Sequence, residues 1–126
     1  SNPMPSTSPR LGLPYLQPAQ AQKHVTHNEA LQLLDAAVHL RIQGFGATVP
    51  PAAPAAGDVY DLAPAATGAW SGQGGRLALW DGTGWQFLQP AEGWVAWDPA
   101  TRSLRAHTNG GWSPLSGSLQ NVPGLG

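Results

Sequence analysis

The sequence has no cysteine, few charged residues and no long apolar run, and each absence excludes a class of protein. Without cysteine, neither disulfides nor thiolate metal sites can hold the fold. Only 10% of the 126 residues are charged and the net charge is −1, which argues against nucleic acid because such a partner requires a basic face. No apolar run reaches the length of a membrane span, and no charged segment followed by an apolar one indicates a signal peptide. We therefore expect one domain that is neither inserted into a membrane nor exported by a signal peptide.

Glycine, proline and tryptophan are abundant instead, with 16, 13 and 6 copies respectively. Glycine and proline shorten regular elements, and each tryptophan offers a large apolar area for packing. This composition predicts a turn-rich chain of short elements with aromatic anchors between them.

Two proline-bearing stretches predict an arm and a linker. Residues 4–18 contain four prolines, which oppose a continuous helix, so we predict an extended arm. Residues 44–57 include "VPPAAPAAG" and predict a stiff Gly/Pro/Ala linker.

Between them, residues 19–43 predict an amphipathic helical segment, because apolar residues recur at three- and four-residue spacing. Thr26 and Glu29 have the spacing of a capping box, which predicts a helix beginning near His27 or a break between two helices. The glycines at 44 and 46 are expected to end the helix.

Residues 58–115 predict a compact antiparallel β-region of about six short strands arranged as hairpins. "GRLALWDGTGWQFL" is the clearest hairpin, since a "DGTG" turn separates two apolar runs. The fold class predicted is therefore α+β: an arm and helix followed by a small Trp-rich β-module of two similar units. Residues 116–126 predict a linker to a further C-terminal region that has been removed. The two similar units within residues 58–115 have matching residues at an offset of 27 positions. The matches are Trp70 with Trp97, Leu77 with Leu104, Trp85 with Trp112 and Leu88 with Leu115.

The stretch "QAQKHVTHNEAL" (20–31) is rich in polar side chains. His24 and His27 would share a helix face, but a metal site needs a third ligand and the HExxH spacing is missing. We interpret the stretch as an interaction and helix-initiation segment. A metal site and intersubunit hydrogen bonding remain as alternatives.

The acidic residues show no paired acid/base signature. Each lies beside glycine, proline or a strand edge, where aspartate normally shapes turns. A glycosidase would need two of them facing across a cleft, which the sequence leaves open. We predict no enzyme, no cofactor and no metal. The candidates considered are Asp58, Asp61, Asp81, Glu92 and Asp98.

The tryptophans allow two interpretations, core packing or a carbohydrate-binding platform of exposed indoles. Trp80 and Trp85 flank one hairpin turn, and strand alternation from Leu77 makes Trp80 the best candidate for an exposed indole. We name Trp80, Trp85 and Trp94 as candidate carbohydrate contacts. A binding module of this kind predicts at least two coplanar, solvent-facing indoles.

The motifs "PYLQPAQAQKHVTHNEALQLLDA", "PAAGDVY", "ATGAWSG" and "LALWDGTGWQFLQPAEGW" resemble an uncharacterised family found in proteobacterial prophages and gene transfer agents. The resemblance covers residues 11–115. It implies a part of a tail fibre or head spike, and no catalytic residue is carried over.

This resemblance implies a structural component of a phage-like particle that attaches the spike to the particle, adheres to host capsular polysaccharide, or does both. The alternative is a stand-alone carbohydrate-binding module. The implied partners are other particle subunits, further copies of the chain in an oligomer such as a trimer, and host surface polysaccharide. The implied location is the virion or gene-transfer-agent particle, after synthesis in the bacterial cytoplasm without a signal peptide. The candidate assembly contacts are Leu13, Tyr15, Gln20, Lys23, His24, His27, Leu31, Leu34 and Val38.

Overall fold

The computed structural model describes residues 6–15 and 23–115, with the backbone alone for residues 23–27. One helix precedes two small sheets in these residues, which confirms the α+β class and the six short strands predicted for residues 58–115. No helix among the described residues is long and apolar enough to cross a membrane. The elements are α1 (Lys23–Ala37), β1 (Gly44–Ala47), β2 (Val59–Leu62), β3 (Leu77–Trp80), β4 (Trp85–Leu88), β5 (Val95–Asp98), β6 (Ser103–Thr108) and β7 (Gly111–Pro114).

The strands form a four-stranded sheet 1, in the order β1-β2-β3-β4, and a three-stranded sheet 2, in the order β5-β6-β7. All neighbours are antiparallel except β1 and β2, which run parallel. The segment after the helix ties the sheets together. The amide of Trp97 donates to the carbonyl of Leu40 (2.8 Å), the amide of Ile42 to the carbonyl of Trp97 (3.0 Å), and the amide of Gln43 to the carbonyl of Val59 (2.7 Å).

Two apolar clusters hold this arrangement. The central core lies between the sheets and beneath α1, and a second cluster surrounds the fully buried Trp70, which belongs to a 3₁₀ turn at Gly68–Trp70. The buried members of the central core are Ala36, Leu40, Ile42, Val59, Leu77, Leu79 and Ala96. Those of the second cluster are Leu62, Ala66, Trp70 and Ala78.

The predicted start or break near His27 and the predicted end at Gly44 are wrong, while residues 19–22 of the predicted helical segment lie outside the described residues. Helix α1 runs unbroken through Thr26, so the capping-box spacing marks neither a start nor a break, and it ends at Ala37, well before Gly44. The next turn places His39 in the left-handed region (φ 50°). The guanidinium of Arg10 donates to the carbonyls of Asp35, Ala36 and His39, which satisfies the last carbonyls of the helix.

The described part of the predicted arm is folded back rather than extended. Ser8 and Leu13 are joined by a backbone hydrogen bond of 2.9 Å, and Thr7 forms an antiparallel bridge with Pro14. This turn docks on the helix, where the buried carboxylate of Asp35 accepts the hydroxyl of Ser8 at 2.6 Å. The two ends of the predicted arm, 4–5 and 16–18, lie outside the described residues, as does 116–126.

The first four residues of the predicted linker form strand β1. Gly44 pairs with Tyr60 and Ala47 with Leu62, so this glycine-rich stretch is the edge of sheet 1. The remainder of the linker, 48–57, contains no strand. Parallel pairing with a strand more than ten residues away leaves no local sequence signal, which explains the difference.

Candidate functional site

The three tryptophans predicted to contact carbohydrate do not form a flat platform. Trp80, Trp85 and Trp94 are each half-buried. The rings of Trp80 and Trp85 lie 5.0 Å apart at 61°, and Trp85 meets the buried Trp70 at 5.1 Å and 76°. These edge-on contacts leave no two coplanar indoles here for a sugar ring to stack on.

Trp97 is the most exposed tryptophan of the described residues, with a relative exposure of 39%. It lies on β5, where Val95 and Trp97 point outward while Ala96 and Asp98 are buried. Its indole contacts no other aromatic ring among the described residues. The sequence signal for this orientation is faint, because it consists of the small or polar character of 96 and 98 alone.

The backbone places Arg41 beside Trp97. The two residues form a parallel bridge, and bridge partners on neighbouring strands project their side chains to the same side, with the strands about 4.8 Å apart. Arg41 is exposed, and its side chain makes no hydrogen bond or ion pair with the described part of the chain. An unengaged guanidinium therefore adjoins an exposed indole.

A cleft of about 550 Å³ opens at this point. We call it the Trp97 cleft, and it is lined by residues 9–11, His39, Arg41, residues 56–58 and Trp97. Each wall comes from a different part of the chain: the docked N-terminal turn, the end of the helix, the loop before β2, and β5. The fold assembles this site from segments that lie far apart in sequence.

The N-terminal wall of the cleft is held by Asp35. Its carboxylate accepts the backbone amides of Arg10 (3.1 Å) and Leu11 (2.5 Å). Burial lowers the pKa of Arg10, the charge of Asp35 opposes this effect, and the nearby charge of Arg41 adds to it. With its donors directed to backbone carbonyls and its charge opposed by Asp35, Arg10 serves to hold the wall of the cleft in place.

The cleft holds charges of both signs, and the Asp35 carboxylate behind its N-terminal wall opposes the charge of Arg10. Arg10 and Arg41 are cationic and His39 lies at the rim, whereas Asp58 is the acidic side chain in the lining. One oxygen of Asp58 accepts the amide of Ala55 at 3.0 Å, which leaves the carboxylate with further capacity to accept hydroxyl groups.

An apolar groove of about 360 Å³ adjoins the cleft and shares His39 and Trp97 with it. Val95 and Leu104 line this groove, and both are 45% exposed. Because Trp97 pairs with Leu104 and alternates with Val95, all three side chains lie on the outer face of sheet 2. This is an exposed apolar patch beside a charged cleft, an arrangement typical of interaction sites.

The acidic residues serve mainly as turn-formers, as the sequence predicted. Asp81 accepts the amides of Thr83 and Gly84, each at 2.8 Å. Asp98 pairs with Arg105 at 2.9 Å. The pKa of each carboxyl is lowered, because these hydrogen bonds outweigh the opposing effect of burial. No group of three His, Asp or Glu side chains in the described residues is arranged to hold a metal ion.

The candidate assembly contacts are divided between buried and exposed positions. Tyr15 is buried within the chain itself, and Leu13 and Leu31 are half-buried. Leu34 is 51% exposed and Val38 36% exposed. Gln20 lies outside the described residues, and the side chains predicted at Lys23, His24 and His27 are likewise not described.

Residues 27–113 match the model of a family described as a protein of unknown function, DUF2793. The chain belongs to this family. No curated protein matches the sequence. The DUF2793 match spans most of α1 and nearly all of both sheets, so it includes Arg41 and Trp97 but not the N-terminal wall of the cleft.

Proposed function

We propose that this DUF2793 chain is a structural and adhesive component of a phage-like particle, a head spike or tail fibre of a prophage or gene transfer agent, that binds host surface polysaccharide. The particle context is supported by the sequence motifs that resemble such proteins. Binding by a surface rather than catalysis is supported by Asp81 and Asp98, whose carboxylates accept backbone amides in turns.

The observation that carries the proposal is the exposed indole of Trp97 in the Trp97 cleft. Sugar rings bury their C–H faces on exposed indoles, while polar groups at the rim fix their orientation. The cleft supplies both, because Arg41 and Asp58 line it together with Trp97 and provide a donor and an acceptor. The predicted pair Trp80 and Trp85 is half-buried, with the two rings in an edge-on contact rather than coplanar.

Co-sedimentation with cells tests the proposal. Labelled protein is expected to sediment with an encapsulated host strain and not with an isogenic capsule-free strain. Trp97→Ala should abolish capsule-dependent binding, because it removes the stacking surface. Val49→Ala is the matched control, since Val49 is 69% exposed and does not line the cleft. Equal sedimentation with both strains, or full binding by Trp97→Ala, would contradict the proposal.

A second function, assembly through the helix, is favoured by the outward position of Leu34. Helix α1 buries the polar side chains of Asn28 and Asp35 and leaves Leu34 to solvent, and Val38 just after the helix is exposed as well. Large apolar side chains on the exposed side of a helix indicate a partner surface. Sedimentation velocity should show an oligomer that Leu34→Glu dissociates and Val49→Glu does not. A monomeric parent protein at all concentrations would rule out this role for the isolated chain.

A further inference from the structure

We propose that the Trp97 cleft selects an acidic sugar residue, with the sugar ring on the indole of Trp97 and the carboxylate on the guanidinium of Arg41. This inference rests on the proposed binding of polysaccharide and adds the chemical class of the sugar. The class follows from the pairing of these two side chains.

The bridge between Arg41 and Trp97 fixes the spacing that such a ligand requires. In a hexuronic acid the carboxylate is bonded directly to the ring, so a ring lying on an indole carries its carboxylate just beyond the indole edge. Arg41 projects to the same side as Trp97 from the segment between α1 and β1 that bridges to β5. A guanidinium binds a planar carboxylate through two parallel N–H donors, which neutral sugars cannot accept in the same way.

The two arginines of the cleft have different roles in this proposal. The guanidinium of Arg10 is engaged by three carbonyls at the end of α1, so it does not offer its donors freely. Arg41 has no partner among the described side chains and retains its donors for a ligand. A free guanidinium next to an indole favours a sugar that carries a carboxylate over a neutral one, because the carboxylate can accept two of its N–H donors.

Asp58 limits the number of negative charges that a bound sugar residue can carry, but it does not prevent an acidic sugar from binding. Its carboxylate lies in the lining of the cleft, where a second anionic group on the ligand would be repelled. A sugar hydroxyl, by contrast, can donate to it. We therefore expect one carboxylate per bound residue, located at the Arg41 side of the cleft.

Calorimetric titration with paired oligosaccharides tests this inference. The probes are oligogalacturonate, oligomannuronate and a glucuronate-containing hyaluronan fragment, each beside its carboxyl-reduced counterpart, in which –COO⁻ becomes –CH₂OH. At least one acidic probe should bind about tenfold or more tightly than its reduced partner, the order expected for a charge-assisted hydrogen-bonded pair. Added NaCl should weaken this preference.

Arginine variants assign the preference to its residue. Arg41→Gln should bring the acidic and reduced probes to equal affinity, whereas Arg76→Gln should keep the difference. Arg76 is also exposed but lies at the other end of sheet 1, where its carbonyl accepts the amide of Leu62. Thermal unfolding of each variant verifies that the fold is intact.

The outcomes separate the two proposals. Equal affinity for an acidic probe and its reduced partner would overturn the acidic preference and leave saccharide binding in place. Binding to encapsulated cells without binding to any acidic probe would also overturn this inference alone. Failure to bind both cells and probes would overturn the proposed function together with the inference.

Discussion

The strands β2-β3-β4 and β5-β6-β7 form two antiparallel meanders with the same pairing. Trp80 pairs with Trp85 in the first, and His107 pairs with Trp112 in the second, 27 residues further along. The hairpins therefore correspond residue by residue. The meanders differ in the connection between their first two strands, which spans residues 63–76 in the first and 99–102 in the second.

The longer connection covers the outer face of sheet 1. It carries Trp70, whose ring packs against Tyr60 at 5.4 Å and Trp85 at 5.1 Å. The consequence is visible in β3, where Leu77, Ala78 and Leu79 are all buried because both faces of the sheet are covered.

The short connection of the second meander provides no cover. Strand β5 alternates strictly, with Ala96 and Asp98 turned to the core and Val95 and Trp97 turned to solvent. The offset that matched Trp70 with Trp97 in the sequence does not hold in space, because Trp70 belongs to the covering turn and Trp97 to a strand. The same scaffold thus uses one tryptophan to close an apolar face and leaves another on an open face, where the cleft forms.

Removal of the cover should cause the largest loss of stability. Trp70→Ala deletes a fully buried indole and is expected to lower the free energy of unfolding by about 3–5 kcal/mol. Trp97→Ala, at an exposed position, should cost less than about 1 kcal/mol. Urea unfolding of both variants measures the difference. Similar losses in the two would mean that the outer faces of the sheets are equally covered.

A pair of equivalent leucines sharpens the comparison at constant chemistry. Leu77 and Leu104 occupy corresponding positions, paired with Asp61 and Trp97 respectively, but Leu77 faces the central core whereas Leu104 lies on the outer face of sheet 2. Leu77 is fully buried, so Leu77→Ala should cost about 2–5 kcal/mol. Leu104 is 45% exposed, so Leu104→Ala should cost less than about 1 kcal/mol. The urea midpoints of the two variants, compared when the slope of unfolding free energy against urea is unchanged, measure this difference in burial. Equal shifts of the two midpoints would contradict it.

The elements that the sequence predicted well are those with local signals. The hairpin β3-β4 follows from the turn "DGTG", where Asp81 caps Thr83 and Gly84 through its carboxylate. Helix α1 was predicted in its middle and missed at its end, because the guanidinium that caps the end belongs to Arg10, 25 or more residues away.

The candidate site was missed for a similar reason. Trp97 is exposed because β5 turns Ala96 and Asp98 to the core and Trp97 to the outer face of sheet 2, whereas a tryptophan in an apolar strand is ordinarily interpreted as core. The usable signal is the small or polar character of Ala96 and Asp98, which marks their side of β5 as the inner one and the side of Trp97 as the outer one. The contribution of residues 9–11 to the cleft has no sequence signal, since it arises from docking on Asp35.

The smallest expected change in the free energy of unfolding concerns Asp61. This residue occupies in the first meander the position that Trp97 occupies in the second. Burial raises the pKa of Asp61 above 3.8, and the hydrogen bond from the amide of Gly46 and the charges of His107 and Arg105 oppose this rise. Its contribution to stability is therefore full below pH 3.8 and is lost as the pH rises through the folded-state pKa. Asp61→Asn should stabilise the protein slightly at pH 7, because asparagine can still accept the Gly46 amide.

Asp81 is the matched control with the opposite sign. Burial acts to raise its pKa, but hydrogen bonds from Gln86, Thr83 and Gly84 lower it below 3.8, so its contribution to stability is present above pH 3.8 and lost as the pH falls through the folded-state pKa. Asp81→Asn should destabilise at pH 7 and flatten the acid limb of the stability curve, whereas Asp61→Asn should flatten the region just above pH 3.8. Urea unfolding from pH 3 to 7 separates the two. A loss of stability on Asp61→Asn at pH 7 would show that the charges of sheet 2 stabilise this carboxylate more than burial penalises it.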